Sequence, residues 1–175
     1  MHGLILTSFR RYTDESFPDR SVEIWRNSPA YDPAAAYDDA DFAGLVERTC
    51  RVTGRTRRKL LIDFGAFAAE RVFAELYPDY FAASGGTRAV LLSVEERIHD
   101  VVRATIPGAY PPRLHVRPFG ATGAMISYTS ERRLCDLLEG LIIGTARHFG
   151  EHFTVEHVQC MERGDVGCAV LTEPG

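Results

Sequence analysis

Three groups of residues in this chain have the types and spacing to do chemistry. His99 shares a helical face with Val102 and Ile106, three and seven residues further on. A neutral imidazole among aliphatic side chains suits a heme-iron ligand, because the metal takes the ring nitrogen while the macrocycle covers the apolar neighbours. The competing reading is a core histidine satisfied by a hydrogen bond, a common fate for a lone His. The second group is Tyr128-Thr129-Ser130-Glu131-Arg132, a Tyr-x-Ser-x-Arg where a strand gives way to a helix. Its three donors, with the free N–H groups of a helix start, can hold a carboxylate by charge-assisted hydrogen bonds. An ordinary helix cap beside a surface arginine has the same sequence. The third group is Cys135, His157, Cys160 and Cys168. Three thiolates and an imidazole make a closed tetrahedral zinc site. Against zinc stand scattered buried thiols and a Cys160–Cys168 disulfide, the latter disfavoured in a reducing compartment.

These side chains need elements to position them. From about residue 40 to 83 the pattern is helical: Phe42, Leu45, Val46 and Cys50 recur at three and four, as do Leu60, Ile62, Phe64, Phe67 and Ala68. Tyr77-Pro78 and Ser84-Gly85-Gly86 punctuate this half. Ser93-Val94-Glu95-Glu96 reads as a capping box opening the helix that carries His99 to about Thr105, before Pro107-Gly108. After Pro111-Pro112, residues 113–117 alternate as a half-buried strand, and residues 124–129 form a second. Residues 131–149 make a long amphipathic helix, with Leu134, Leu137, Leu138, Leu141, Ile142 and Thr145 on one face and Gly150 as its C-terminal cap. Residues 153–159 and 167–171 close the chain as a hairpin around Arg163-Gly164-Asp165. The expected architecture is α+β in one domain over residues 1–175. A helical part covers about 1–85, the His99 helix about 93–106, and a small antiparallel sheet with its crossing amphipathic helix about 112–172.

Composition narrows the functional classes. A chain of 175 residues with 45% hydrophobic residues can bury a substantial core. Its net charge of −4 offers no global basic field for nucleic acid or anionic lipid. The dense basic run Arg55-Thr56-Arg57-Arg58-Lys59 reads as a solvated face. No apolar run approaches the ~18 residues of a membrane span. The start, Met1-His2-Gly3-Leu4-Ile5-Leu6, lacks a basic n-region and a cleavage site. A cytoplasmic location is therefore expected, where four cysteines point to reduced thiols or metal. His2, His115, His148 and His152 are assigned no chemistry.

Taken together, these residues resemble a known family. The chain resembles the heme nitric oxide/oxygen-binding (H-NOX, HNOB) domains over essentially its whole length. The resemblance rests on Met1-His2-Gly3-Leu4-Ile5, on Ile98-His99-Asp100-Val101-Val102 followed by Pro107 and Pro111-Pro112, and on Tyr128-x-Ser130-x-Arg132. Glu139-Gly140-Leu141 and Arg147-His148-Phe149-Gly150 extend it. It implies heme b between the helical part and the sheet, with His99 on the iron and Tyr128, Ser130 and Arg132 on the propionates. Ile5 and Pro112 would be the contacts that distort the macrocycle. The Cys135, His157, Cys160, Cys168 set is similar to that of members carrying a structural zinc. Leu134-Cys135 departs from the Gly-Leu pair that many members have after the arginine. Where oxygen-binding members place a distal Tyr, nine residues past the first Tyr of the motif, this chain has Leu137, and Phe9 at the pocket edge offers no donor.

The resemblance thus implies a gas sensor, not an enzyme, that takes nitric oxide and CO on ferrous heme opposite His99. A strong ligand there weakens the iron–imidazole bond and frees the His99 helix. No output domain follows Gly175, so a separate signalling protein, such as a histidine kinase or a cyclic-dinucleotide enzyme, would receive the signal. Thiolate oxidation at the Cys3His site would supply a second, redox input. A heme enzyme such as a peroxidase would need polar distal groups, where the long helix offers leucines. A heme-free zinc/thiol switch or small-molecule-binding module is the remaining alternative, separated from the others by the Soret band.

Overall fold

In the computed structural model, which describes residues 1–175, the chain opens with a helix that hydrophobic periodicity did not single out, α1 (Gly3–Ser16). His2 starts it: in extended backbone its Nδ1 accepts the Leu4 amide at 2.9 Å, the task usually given to Ser or Asp. A short turn, α2 (Ser21–Ile24), leads to α3 (Asp39–Thr53), capped by Asp38 and ended by Gly54 in the left-handed region. Thr56 caps α4 (Arg57–Phe67), which continues through a π-helical segment, Ala68–Phe73, into α5 (Ala74–Leu76). After α6 (Pro78–Ser84), a second continuous helix comprises α7 (Thr87–Val94), a π-helical segment Glu95–His99 and α8 (Asp100–Thr105).

This second helix corrects the capping-box reading. It begins at Thr87, whose amide is received by Glu151 at 2.9 Å. Ser93 lies inside it and bonds back to the Ala89 carbonyl at 2.8 Å. A serine four residues past a carbonyl can satisfy itself that way in mid-helix, so Ser-x-x-Glu marks a start only when the preceding residues cannot be helical. The long helix is also shorter than expected. α9 (Cys135–His148) follows a turn in which Arg133 takes a φ of 48°, so Arg132 stands before the helix rather than in its first turn.

The sheet is four-stranded and antiparallel, ordered β1 (Arg113–Phe119), β2 (Gly123–Thr129), β4 (Cys168–Pro174), β3 (Phe153–Gln159). The final strand runs to Pro174, past the residue-171 limit read from the sequence. Two cores flank α9. An aromatic one under α1, α3 and α4 holds Phe9, Tyr12, Trp25, Phe42 and Phe64, with Phe9 edge-on to Phe42 and Phe64 at 5.4 and 5.0 Å. The other, between α9 and the sheet, holds Ile126, Leu138, Ile142 and Val170. Leu137 joins the first core and Leu138 the second, so α9 is the wall the two lobes share.

That wall is fixed to α4 by glycines. A Cβ on Gly140 would lie 2.2 Å from the Ile62 carbonyl oxygen, and one on Gly144 2.2 Å from that of Ala66. One on Gly65 would lie 2.5 Å from the Leu137 oxygen. Backbone meets backbone along this seam, which admits no side chain without moving a helix. Arg58 adds an electrostatic tie. The basic run is therefore more than a solvated face, because Arg58 reaches Asp136 at 2.6 Å and Glu139 at 2.9 Å on α9. No helix is long and apolar enough to cross a membrane.

Candidate functional site

Between the lobes, against α9, lies a cavity of about 1480 Å³ including its open mouth. Its walls are largely aliphatic and aromatic: Leu4 and Ile5 from α1, Phe73 from the first π segment, Ile98 from the second, Leu137 and Leu141 from α9. Both π segments face this cavity. A π turn adds one residue to the helical repeat and so re-aims every side chain after it. That re-aiming changes the expected face. His99 lines the cavity with Val94, Ile98 and Val102, while Ile106 has left the helix in extended backbone.

The His99 side chain is 18% exposed, and its Nδ1 lies 3.0 Å from Glu95 Oε2. Burial pushes the imidazole below its ordinary pKa, against the opposing pull of the Glu95 carboxylate. The ring is therefore neutral at pH 7, and Nε2 carries the lone pair once Nδ1–H is given to Glu95.

Tyr128, Ser130 and Arg132 also line the cavity, so the structure brings the motif together beside it. The Tyr128 hydroxyl accepts the Leu134 amide at 3.1 Å, and Ser130 Oγ accepts the Arg132 amide at 3.3 Å. Ser130 thus closes a local turn and caps no helix. Arg132 donates from Nη1 to the Tyr110 carbonyl at 2.6 Å. Its Nε lies 2.7 Å from Asp39 Oδ2, close enough for an ion pair but off the hydrogen-bond line. Ile5, Pro112 and Leu137 line the cavity wall. Phe9 does not: it is wholly buried in the aromatic core beneath α1.

His2 also lines the cavity and was missed in the sequence. Its Nδ1 is occupied by the Leu4 amide, so Nε2 bears the proton, and Nε2 is buried with no acceptor. A buried donor without a partner costs about 1–3 kcal/mol. A carboxylate-bearing occupant would relieve it. The signal that could have found it is its place in the Met1-His2-Gly3-Leu4-Ile5 match.

At the starts of α9 and β4, three of the four expected zinc ligands converge. The ligand atoms of Cys135, Cys160 and Cys168 all lie within 4.8 Å of one another, and all three residues are buried. Cys135 and Cys168 sulfurs are 2.7 Å apart as free thiols, so the Cys160–Cys168 disulfide is not formed. Burial pushes the Cys135 and Cys168 thiols up, toward the neutral form. His157 stands outside this group. Its Nε2 lies 3.0 Å from Glu139, itself held by Arg58, while its Nδ1 is buried without a partner. The reading that placed His157 beside the cysteines did not include Glu139, which lies on the facing side of α9.

The sequence profile of the haem-NO-binding (HNOB) family matches residues 2–157. No curated protein sequence matches the chain. Among solved structures, an H-NOX protein from Shewanella oneidensis in the Fe(II)NO ligation state has a TM-score of 0.90 at 20% identity, over 100% of this chain and 99% of that one. An unliganded Fe(II) H-NOX mutant from K. algicida gives 0.83 at 23% identity, over 100% and 97% of the two chains. An oxygen-binding H-NOX domain related to soluble guanylate cyclases gives 0.86 at 24% identity, over 99% and 96%. At these identities the likeness is one of fold.

Proposed function

The chain belongs to the haem-NO-binding family, and from that premise we propose that it binds heme b in the cavity between its lobes and senses nitric oxide. The observation that carries the reading is His99: a neutral ring on an apolar cavity wall, with Nδ1 committed to Glu95 and Nε2 left to bind metal. When bound, heme would supply a ferrous iron able to take diatomic gases. His99 holds that iron through Nε2. Tyr128, Ser130 and Arg132 hold the propionates, and the orphaned Nε2–H of His2 fits the same task. Ile5 and Pro112 bear on the macrocycle from the cavity wall, and Leu137 and Leu141 keep water and donors from the gas side.

The fold also gives His99 a route for its displacement. Glu95 Oε2 accepts both His99 Nδ1–H and the Leu114 amide at the start of β1, at 3.0 and 3.1 Å. Release of His99 would leave the α7–α8 helix free to shift against β1, and the two positions would be the two states that a gas biases. CO binds at the same place. The receiver is a separate cytoplasmic signalling protein such as a histidine kinase or a cyclic-dinucleotide enzyme.

The test is absorption. Protein given hemin and reduced should show a Soret band that moves when nitric oxide is added. No band, or a band indifferent to nitric oxide, overturns the reading.

Zinc belongs to the same proposal. Cys135, Cys160 and Cys168 supply three thiolates, and a divalent cation would stabilise the deprotonated forms that burial now opposes. His157 supports the fourth position because a ligating imidazole usually gives its other N–H to a carboxylate. Glu139 takes Nε2–H and leaves Nδ1 free and buried. Metal analysis of protein purified under reducing conditions without chelator should give about one zinc per chain, whatever the heme loading, as a single four-ligand site requires. Absence of zinc leaves a buried thiol cluster in its place. With zinc present, oxidation of the thiolates would make the site a second, redox input.

A further inference from the structure

Glu95 occurs in none of the motifs that singled out His99, yet three donors converge on its carboxylate. Oε2 accepts His99 Nδ1–H at 3.0 Å and the Leu114 amide at 3.1 Å, and Oε1 accepts from Arg103 Nη2. Arg103 is itself held, by Asp100 at 2.7 Å and toward the Pro111 and Pro112 carbonyls at 3.5 and 3.4 Å. Glu95 and Arg103 side chains are 21% and 18% exposed, so the charges act at short range with little water between them. Three donors on its two oxygens, one of them a guanidinium, are the surroundings of a carboxylate.

We propose that Glu95 is a positioning residue that sets how firmly His99 binds iron, and that Arg103 sets how much of the Glu95 charge the imidazole feels. The inference rests on the heme reading above. A carboxylate accepting Nδ1–H does two things to the ring. It fixes the tautomer and orientation that put the Nε2 lone pair on the cavity side, and it makes that nitrogen a stronger donor. The guanidinium on the other oxygen draws charge away from His99 and restrains the second effect. The π-helical stretch from Glu95 to His99 carries both residues, so acceptor and ligand are placed by one turn of chain. A bond strengthened by Glu95 resists displacement by a ligand on the opposite face, and one loosened by Arg103 yields to it. The pair thus fixes the threshold at which gas binding frees the helix.

The experiment is resonance Raman spectroscopy of the ferrous, heme-loaded full chain, read at the iron–histidine stretch. Glu95→Gln keeps the shape and removes the charge. It should lower the stretch and weaken heme retention by about ten- to a hundredfold, as loss of such a supporting partner does elsewhere. Arg103→Met should raise the stretch, because Glu95 then loses the guanidinium that draws its charge away from His99. A structural staple would shift both variants in the same direction or neither, so that outcome overturns the inference, as does an unmoved stretch in Glu95→Gln. If Glu95→Gln retains no heme, Arg103→Met decides alone: a raised stretch supports the inference and any other result ends it. A wild-type chain that takes up no heme defeats the underlying reading, whereas a heme-loaded wild type with insensitive variants defeats only this one.

Discussion

Protein carrying His99→Gly should come through purification without a Soret band, and imidazole in the buffer should restore it. The cavity that His99 serves offers iron no second nitrogen. His2 is the other histidine on the wall, and its Nδ1 is taken by the Leu4 amide while Nε2 carries the proton. The remaining wall is mostly aliphatic and aromatic, with the Tyr128–Ser130–Arg132 donors suited to anions rather than to metal. Loss of the ligand itself should therefore exceed the roughly ten- to hundredfold cost of losing a supporting residue. Free imidazole fits the vacated space because Glu95 remains to accept its N–H. A His99→Gly protein with the reduced spectrum of the wild type would place the metal ligand elsewhere.

Reduced protein exposed to air should keep its Soret band in place until slow oxidation begins, while nitric oxide and CO should each shift it at once. Dioxygen on ferrous heme gathers negative charge and needs a donor; the other two gases gain much less from one. Leu137 is 7% exposed and contributes only carbon to the cavity. The Thr145 hydroxyl is spent on the Leu141 carbonyl at 2.8 Å, and that of Tyr80 on Val90 and Ser93 at 3.0 and 3.1 Å. A missing donor in an apolar pocket is worth about 1–3 kcal/mol, or on the order of ten- to a hundredfold in affinity. Among the wall donors, the buried Nε2–H of His2 has no protein acceptor, and the Tyr77, Tyr110 and Tyr128 hydroxyls donate no hydrogen bond to the protein. A stable spectral change in air would mean that one of them reaches the ligand, and His2→Gln and the three Tyr→Phe variants would identify which.

Much of this site is legible in the sequence because its parts are local. Tyr128, Ser130 and Arg132 lie at alternate positions around one strand end, so their convergence needs no knowledge of the rest of the fold. Leu137 was singled out only by the family resemblance, which fixes a position nine residues past Tyr128. The strands were legible through their period of two, and α4 and α9 through theirs of three and four. What escaped depends on distant partners. The helix start at Thr87 is made by Glu151, from beyond α9. Phe9 belongs to an aromatic cluster drawn from three helices, so its position in the first helix did not disclose which way it faced. His157 is claimed by Glu139 across the gap between β3 and α9. The π segments have no compositional mark. Ala68–Phe73 and Glu95–His99 are ordinary helix-forming text, and only packing decides that each takes an extra residue.

The glycine seam between α4 and α9 has a mechanical meaning. Two helices whose backbones already touch, with carbonyl oxygens where side chains would be, behave as a rigid post rather than a sliding joint. Strain that arises in the cavity cannot be relaxed by spreading them. On the reading proposed above it would travel toward the other side, where one helix interrupted by a π turn is hydrogen-bonded to β1 by the Glu95 carboxylate. The molecule would then act as a lever mounted at one end, its stroke delivered on the face that carries α8 and the approach to β1.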